Sequence, residues 1–226
     1  MYTLHIANKN YSSWSLRPWV LMRELNIPFT EQLIPFDHHS SWEKFRSFSP
    51  TGLVPCLHAN EHIVWESLAI VEYLADHHER VWPHNESARI WARSATAEMH
   101  AGFNAIRGEC PMSVGIRVNR HQTSDALTTD LQRLAELWQQ GLELFKGPFL
   151  AGDEFTAVDA FFAPVCYRIQ TYNLQLPEPC AVYVQHILAR PAMREWTAAA
   201  LQEPYREPDH EEEIQALGTW LEDQRI

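Results

Sequence analysis

The sequence changes character near residue 78, and this change limits the possible folds more than any other feature. Before it, short segments that alternate apolar and polar residues, as strands do, are separated by helical patterns. After it, the apolar spacing is helical only. A chain of 226 residues suits one large domain or two small ones. We therefore expect an α/β domain at 1–78, a linker at 79–86, and an all-helical domain at 87–226 that ends in an acidic tail.

The order of elements in the first domain narrows the fold class. Residues 2–7 alternate as a strand does, residues 16–24 follow helical spacing, and residues 29–36 are typical of a second strand. Residues 56–65 then form a plausible hairpin, and a helix begins at Ser67, since serine is a favoured N-cap residue. The resulting order, β-α-β followed by β-β-α, is that of a thioredoxin-like domain.

The second domain shows three long helical patterns. Two amphipathic runs cover residues 87–107 and 124–145, and a third helix follows Asp159. Thr156 and Asp159 are three residues apart just before an apolar run, which is the spacing of a capping box with Asp in place of Glu or Gln. We therefore expect a helical bundle throughout this domain.

Charge and hydropathy exclude several classes of protein. The net charge of −11 argues against nucleic acid or an anionic membrane surface as a partner. The longest apolar runs are far shorter than a membrane span, and the first residues enter a strand without the pattern of a leader peptide. We therefore expect a cytoplasmic protein. From Glu203 onward the chain contains eight acidic residues and only two basic ones, and we interpret this segment as a solvated helix face.

The cysteines and histidines indicate neither a disulfide framework nor a metal site. The four cysteines are widely spaced and include no C-x-x-C pair, so we expect buried reduced thiols. The twelve histidines include two adjacent pairs, but adjacent helical residues do not share a face. The single H-x-x-x-H spacing, His58 to His62, spans the predicted hairpin and not a helix, so it does not strengthen a metal site. We therefore expect no metal.

A serine-rich turn at residues 8–19 is the first candidate for chemistry. It connects the first strand to the first helix and places Ser12 and Ser13 at the helix N-terminus. Backbone N–H groups there lack intrahelical partners and the helix dipole is positive, so the turn can bind an anion. Serine is also a common N-cap residue, and the turn taken alone favours simple capping.

Three further segments agree with the serine turn. Residues 49–55, Ser-Pro-Thr-Gly-Leu-Val-Pro, precede the third strand; residues 65–74 begin with Trp-Glu-Ser; and residues 152–159 contain the capping box. In this order and spacing, over nearly the full length, the chain resembles a cytosolic glutathione transferase of the serine-using kind, as in the zeta and tau classes. The resemblance implies glutathione as co-substrate, a cis peptide bond before Pro55, and a homodimer.

The resemblance also implies roles for individual residues. A thiol with a pKa near 8.5 is only a few per cent thiolate at neutral pH, and the thiolate is the nucleophile. Ser12 is implied as the hydroxyl that stabilises this anion, with Ser13 the second choice and Tyr11 a distant third. Glu66 and Ser67 are implied to hold the γ-glutamyl ammonium and carboxylate. Simple capping of the helix is the alternative for that pair.

Two other parts of glutathione need partners. Val54 can pair its backbone N–H and C=O with the cysteinyl backbone of glutathione, as an added strand would. Many relatives carry Lys or Gln where this chain has Leu53. We therefore assign the glycine carboxylate to His39 or Lys44.

The second-substrate pocket is assigned to apolar residues and one arginine. Met99 and Phe103 share a helix face and Met112 follows soon after. Trp14 and Arg168 complete the proposed lining, which suits an apolar electrophile with an acidic group. The same stripe also fits a core or a dimer interface.

These observations predict a glutathione transferase that joins the thiolate to an apolar electrophile. One alternative is a glutathione-dependent cis–trans isomerase resembling maleylacetoacetate isomerase. Against it, Trp14 replaces the cysteine of that motif, and Thr171 stands where those isomerases carry a substrate-binding arginine. The alternative of another class is a non-catalytic binding protein with the same fold.

Overall fold

A computed structural model describes residues 1–38 and 40–226 of the chain. The first 75 residues form a four-stranded sheet with helices around it. The strands are β1 Tyr2–Ile6, β2 Phe29–Leu33, β3 Cys56–Ala59 and β4 His62–Trp65, and the helices are α1 Ser13–Glu24, α2 Trp42–Arg46 and α3 Ser67–Ala75. The strand order is β2-β1-β3-β4, with β1 parallel to β2 and antiparallel to β3. This confirms the predicted thioredoxin-like arrangement, including the β3–β4 hairpin.

The rest of the chain is mainly helical. Its helices are α4 Glu86–Ala101, α5 Asn104–Glu109, α6 Asp125–Phe145, α7 Ala157–Tyr172, α8 Glu178–Leu188, α9 Pro191–Gln202 and α10 Pro208–Leu217. Helix α7 is buried at nearly every position and packs against α1 as well as α4 and α8. Helix α1, which follows the serine turn, therefore packs directly against the core of the second unit. None of the helices built from the described residues is long and apolar enough to cross a membrane.

Two local predictions for the helical unit are wrong. The helix predicted over residues 87–107 is interrupted at Gly102, because Phe103 takes a left-handed conformation with φ 53° and a new helix starts after it. The unit is also not purely helical, since β5 Ile116–Arg120 pairs antiparallel with β6 Gly218–Asp223. The alternation of buried and half-exposed side chains along β5 is a strand signal that helical periodicity does not explain.

The capping box at α7 forms as predicted. The Asp159 carboxylate accepts hydrogen bonds from the backbone N–H groups of Thr156 and Leu150, each at 3.0 Å. The hydroxyl of Tyr183 donates a third, also at 3.0 Å. Burial nevertheless raises the pKa of Asp159 to about 6. The start of the most buried helix is thus fixed by one carboxylate.

Candidate active site

A cleft of about 300 Å³ opens beside the serine turn, between the α/β unit and the helical unit. One wall is the β1–α1 turn, a second is the segment before β3, and a third comes from α5, α7 and α10. The residues that line it are Tyr11, Ser12, Ser13, Trp14, Phe36, Leu53, Val54, Arg107, Pro111, Met112, Arg168, His210 and Glu213. The cleft therefore brings together residues far apart in the sequence.

Ser12 occupies the N-cap position of α1, but its side chain makes no capping hydrogen bond. Its hydroxyl instead donates to Ser15 Oγ at 2.7 Å, and Ser15 Oγ also accepts the backbone N–H of Ala7 at 3.3 Å. Ser12 is buried and lines the cleft. Its hydroxyl can therefore turn toward a ligand without uncapping the helix.

The two neighbouring hydroxyls have other partners. The Tyr11 hydroxyl donates to Glu211 Oε1 at 2.5 Å, and burial together with this bond raises the pKa of Tyr11. Ser13 Oγ accepts from Arg168 Nη2 at 3.2 Å. Of the three residues proposed from sequence for thiolate stabilisation, Ser12 is the one whose hydroxyl is bonded only within the serine turn.

The segment before β3 reaches the cleft, whereas Glu66 and Ser67 at the start of α3 are not among the residues that line it. The Val54–Pro55 peptide is cis, as the resemblance implied, and Val54 is half-buried at the cleft. Glu66 is the N-cap of α3, with φ 69° and ψ 129°, while Ser67 is the first helical residue rather than the predicted cap. A non-glycine residue held at positive φ is strained, and such residues concentrate at functional sites. Glu66 is exposed and Ser67 is buried.

Arg17 lies directly behind Ser67. Its side chain is 1% exposed, and Nη1 donates to Ser67 Oγ at 3.4 Å. The guanidinium stacks over the rings of Trp14 at 3.9 Å and Phe161 at 4.7 Å. Burial, with the nearby positive charges of Arg107 and Arg168, lowers the pKa of Arg17 to about 9. A buried cation therefore stands behind the start of α3.

Two further arginines face the cleft. Arg168 is buried and donates to the carbonyl oxygens of Arg107 and Cys110, and burial lowers its pKa to about 10. Arg107 is half-buried and donates to Asn104 Oδ1 at 2.5 Å and to His100 O at 3.2 Å. Among the described residues, neither arginine has a carboxylate within ion-pair distance. The cleft thus holds these two arginines together with the carboxylate of Glu213.

The other residues proposed from sequence are divided between the cleft and the core. Trp14, Met112 and Arg168 line the cleft, whereas Met99 and Phe103 lie in the hydrophobic core. Lys44 donates to Pro35 O at 2.9 Å and pairs with Asp37 at 3.2 Å. His39 lies outside the described residues. The predicted stripe is broken because α4 ends before Phe103, but both side chains are in the core, which is the alternative left open above.

The C-terminal segment, defined here as residues 203–226, is only in part the solvated helix face predicted from its charge, because Glu203 and Glu207 are buried. Glu203 is buried, and its carboxylate accepts the backbone N–H groups of Lys9 at 2.6 Å and Asn10 at 3.4 Å. Glu211 pairs with Arg225 through contacts of 2.5 and 2.8 Å. Acidic residues of this segment therefore hold the loop just before Ser12, and His210 and Glu213 reach the cleft.

One group in this segment brings possible metal ligands together. His38, Glu207 and Asp209 place donor atoms within 4.8 Å of one another. The Glu207 carboxylate already accepts from His210, and His38 contacts Asp209 at 3.3 Å. The group thus connects the loop after β2 to the start of α10.

The fold and the site together define a class. A thioredoxin-like unit followed by a helical unit, with a helix-terminal serine at the cleft between them, is the arrangement that the resemblance to glutathione transferases implied. The family of glutathione S-transferase N-terminal domains matches residues 11–77, and that of the C-terminal domains matches residues 89–199. The chain belongs to the glutathione S-transferase family of enzymes. Residues 200–226 lie beyond both matched ranges.

Individual relatives agree with this membership. Glutathione S-transferase GstB of Escherichia coli K12 is 28% identical over 201 residues, covering 82% of this chain and 93% of the relative. The maleylacetoacetate isomerase of Rattus norvegicus is 24% identical over 207 residues, covering 89% and 92%. Among solved structures, a Burkholderia glutathione transferase homologue with bound glutathione superposes with a TM-score of 0.67 at 22% identity, covering 88% and 97%. That structural likeness supports the fold.

Proposed function

We propose that this protein conjugates the thiol of glutathione to an apolar electrophile, with Ser12 stabilising the thiolate. The observation that carries the proposal is the Ser12 hydroxyl, which lies at a helix N-terminus, lines a cleft, and is bonded only to Ser15. A hydroxyl that donates to a sulfur anion lowers the pKa of the thiol, and the positive end of α1 adds to the effect. Ser15 can then donate to Ser12 in place of accepting from it, which strengthens the bond to sulfur.

The proposed glutathione site continues along the end of the sheet at which β3 begins and β4 ends. Val54 would pair with the cysteinyl backbone, and the Glu66 carboxylate with the γ-glutamyl ammonium. Ser67 and the N-terminus of α3 would hold the γ-glutamyl carboxylate, with Arg17 supplying positive charge from behind at 3.4 Å from Ser67 Oγ. Ser13 stays part of the proposal as a neighbour of the sulfur. His39 stays the proposed partner of the glycine carboxylate.

The electrophile would occupy the part of the cleft near Trp14 and Met112. Phe36 and Pro111 add apolar surface there. Arg107 and Arg168 would attract an acidic group on this substrate, since neither forms a direct ion pair with a carboxylate among the described residues. The favoured second substrate is therefore an apolar electrophile that carries an anionic group.

The second candidate is a glutathione-dependent isomerase, and the two cleft arginines favour it. Thr171 donates to Ser113 O at 2.5 Å inside the helical unit, so it is turned away from the cleft. Arg168, one helical turn earlier, does line the cleft. A substrate with two carboxylates would suit Arg107 and Arg168 together.

The experiment is retention on immobilised glutathione followed by a turnover screen. Aryl halides and enals report conjugation, peroxides report peroxidase activity, and maleyl compounds report isomerisation. We expect conjugation to exceed isomerisation. Isomerisation without a conjugated product would select the second candidate, and retention without any turnover would select the non-catalytic alternative.

We also propose a homodimer that works in detoxification in the cytoplasm. Large apolar side chains on β4 and α4 support the dimer, because Ile63, Trp65 and Ile90 are 45%, 42% and 62% exposed. The four cysteines are free buried thiols, which suits a reducing compartment. Light scattering should give twice the monomer mass of 26.2 kDa, and Trp65→Glu should return it to the monomer value. A monomer mass for the unmodified protein at micromolar concentration contradicts the dimer.

A further inference from the structure

The part of the serine turn that precedes Ser12 is held by residues near the other end of the chain. The Glu203 carboxylate accepts the backbone N–H of Lys9 at 2.6 Å and that of Asn10 at 3.4 Å. The side-chain amide of Asn10 also donates to Ala200 O at 2.6 Å. Glu203, Lys9 and Asn10 are all buried, so water competes little for these contacts. Two successive residues of the turn are therefore fixed by partners that are distant in the sequence.

The next residue, Tyr11, is held by an ion pair of the C-terminal segment. Its hydroxyl donates to Glu211 Oε1 at 2.5 Å, and Arg225 Nη1 donates to the Tyr11 hydroxyl at 3.2 Å. Arg225 also binds both carboxylate oxygens of Glu211, at 2.5 and 2.8 Å. A bidentate pair of this kind fixes direction as well as distance. The Arg225 side chain is 2% exposed, so the pair is a defined support for the tyrosine.

The position of Ser12 depends on these residues because they form the turn that leads into it. The backbone N–H groups of Tyr11 and Ser12 both donate to Asn8 O, at 3.1 and 2.8 Å. The Ser12 hydroxyl itself donates to Ser15 Oγ. The C-terminal segment can therefore act on the Ser12 hydroxyl through the backbone of the turn.

We propose that Glu203, together with the pair of Glu211 and Arg225, consists of positioning residues that orient the Ser12 hydroxyl toward the glutathione sulfur. The inference rests on the proposed function, since it requires the thiolate to lie at Ser12. A hydrogen bond weakens as its donor angle departs from linearity, so a small shift of the turn reduces the stabilisation of the sulfur anion. The C-terminal segment is then part of the active site, although it lies beyond both ranges that the transferase families match.

Simple attachment of the C-terminal segment to the rest of the protein is the competing explanation. Strand β6 already pairs with β5, and the backbone N–H of Gln224 donates to Gly115 O at 2.8 Å. Both contacts anchor the segment away from the serine turn. If Glu203 only adds to this anchoring, its loss lowers stability and leaves the bound thiol as it was. If Glu203 positions Ser12, its loss also raises the pKa of the bound thiol.

The test compares Glu203→Ala, Glu203→Gln and Tyr11→Phe with the unmodified chain by titrating the bound glutathione thiol by ultraviolet absorbance. Glu203→Ala leaves two buried N–H groups without their acceptor, and we expect the thiol pKa to rise by about 0.5–1 unit. The Kd for glutathione, measured at a pH where the bound thiol is protonated, should stay nearly constant. Glu203→Gln keeps an acceptor for Lys9 and should restore most of the normal thiol pKa. Tyr11→Phe leaves the Glu211–Arg225 pair intact and should raise the thiol pKa by less than Glu203→Ala does.

A double-mutant cycle with Ser12→Ala separates action through Ser12 from every other route. In the Ser12→Ala background, Glu203→Ala and Tyr11→Phe should cause no further rise in the thiol pKa, because the hydroxyl that they position is absent. A rise that persists in that background overturns the proposal, and for Tyr11→Phe it would identify the tyrosine hydroxyl as a direct donor to the sulfur.

Val118→Ala is the matched control for stability, because Val118 is buried and lies opposite Trp220 where β5 pairs with β6. It should lower the urea midpoint, as Glu203→Ala does, and leave the thiol pKa unchanged. An unchanged thiol pKa in Glu203→Ala, or an equal rise in Val118→Ala, overturns the proposal. If Ser12→Ala still raises the thiol pKa, either result leaves the transferase assignment intact. Failure of the unmodified chain to bind glutathione removes both.

Discussion

Replacing Arg17 by methionine should make the protein more stable and its glutathione binding weaker. Arg17 is buried, and its nearest polar partner is the hydroxyl of Ser67 at 3.4 Å. Each pKa unit is worth about 1.36 kcal/mol, so the fall of the Arg17 pKa to about 9 corresponds to about 5 kcal/mol against the charged form. At pH 7 the arginine is charged in both the folded and the unfolded states, so this cost is present in full.

Two interactions offset part of that cost. Arg17 stacks on Trp14 and Phe161, and a desolvated cation–π contact contributes about 1–2 kcal/mol. The net destabilisation is then about 1–3 kcal/mol. Methionine fills similar space without a charge, so Arg17→Met should raise the free energy of unfolding by about this amount.

The assay is urea denaturation followed by tryptophan fluorescence, with and without glutathione. Glutathione at about 100 times its Kd should add about 2.7 kcal/mol to the unmodified chain and distinctly less to Arg17→Met at the same concentration. Arg23→Met is the matched control, because Arg23 lies on the same helix, is half-exposed, and pairs with Glu195 at 3.3 Å. It should change stability by less than about 0.5–1 kcal/mol. A less stable Arg17→Met, or one that glutathione stabilises as much as the unmodified chain, refutes the reasoning.

Two further predictions concern the start of α3 and the start of α7. Glu66→Gln should raise KM for glutathione by a factor that corresponds to about 1–3 kcal/mol of binding free energy, with little change in kcat. The control Glu61→Gln, at an exposed carboxylate, should change neither constant. Both are measured by steady-state kinetics, and an unchanged KM in Glu66→Gln would mean that Glu66 is only a helix cap. Asp159→Asn tests the pKa near 6. An acid with a raised folded pKa contributes less stability as pH rises from about 4 to about 6, so the destabilisation by Asp159→Asn should shrink across that window. Urea midpoints below and above it measure the difference, and a difference that grows with pH contradicts the assignment.

The α/β unit was predictable from sequence because its signals are local. Alternation along β1, the hairpin at residues 56–65, and the turn that places Ser12 ahead of α1 each depend on residues close in the chain. The strained conformation of Glu66 was not visible, since nothing in Trp-Glu-Ser distinguishes a strained N-cap from an ordinary one.

The C-terminal segment was not predictable for the opposite reason. Glu203 contacts Lys9 and Glu211 contacts Tyr11, so the partners are about 200 residues apart and the charge pattern alone gives no hint of them. Buried acceptors for backbone N–H groups look the same in sequence as a solvated acidic face. The strand at Ile116–Arg120 is a different case. Its apolar and polar residues alternate in the sequence, but the helical patterns before and after it drew the whole region into the helical prediction.

The apolar stripe on α4 shows the limit of assigning a pocket from helical spacing. Met99 and Phe103 were expected on one helix face, but α4 ends before Phe103 and both side chains pack into the core. The cleft takes its apolar wall from Met112 and Trp14 instead. Periodicity predicts which face is buried but not which cavity the buried face borders.

The central claim is that the Ser12 hydroxyl stabilises the glutathione thiolate, and titration of the bound thiol by ultraviolet absorbance tests it most directly. A hydrogen bond to a charged group contributes about 1.5–3 kcal/mol, so Ser12→Ala should raise the pKa of the bound thiol by about 1–2 units. Its Kd for glutathione should stay nearly constant. Ser13→Ala is the control, because Ser13 Oγ accepts from Arg168, and it should leave the thiol pKa near that of the unmodified chain. The same thiol pKa in Ser12→Ala and in the unmodified chain would contradict the account.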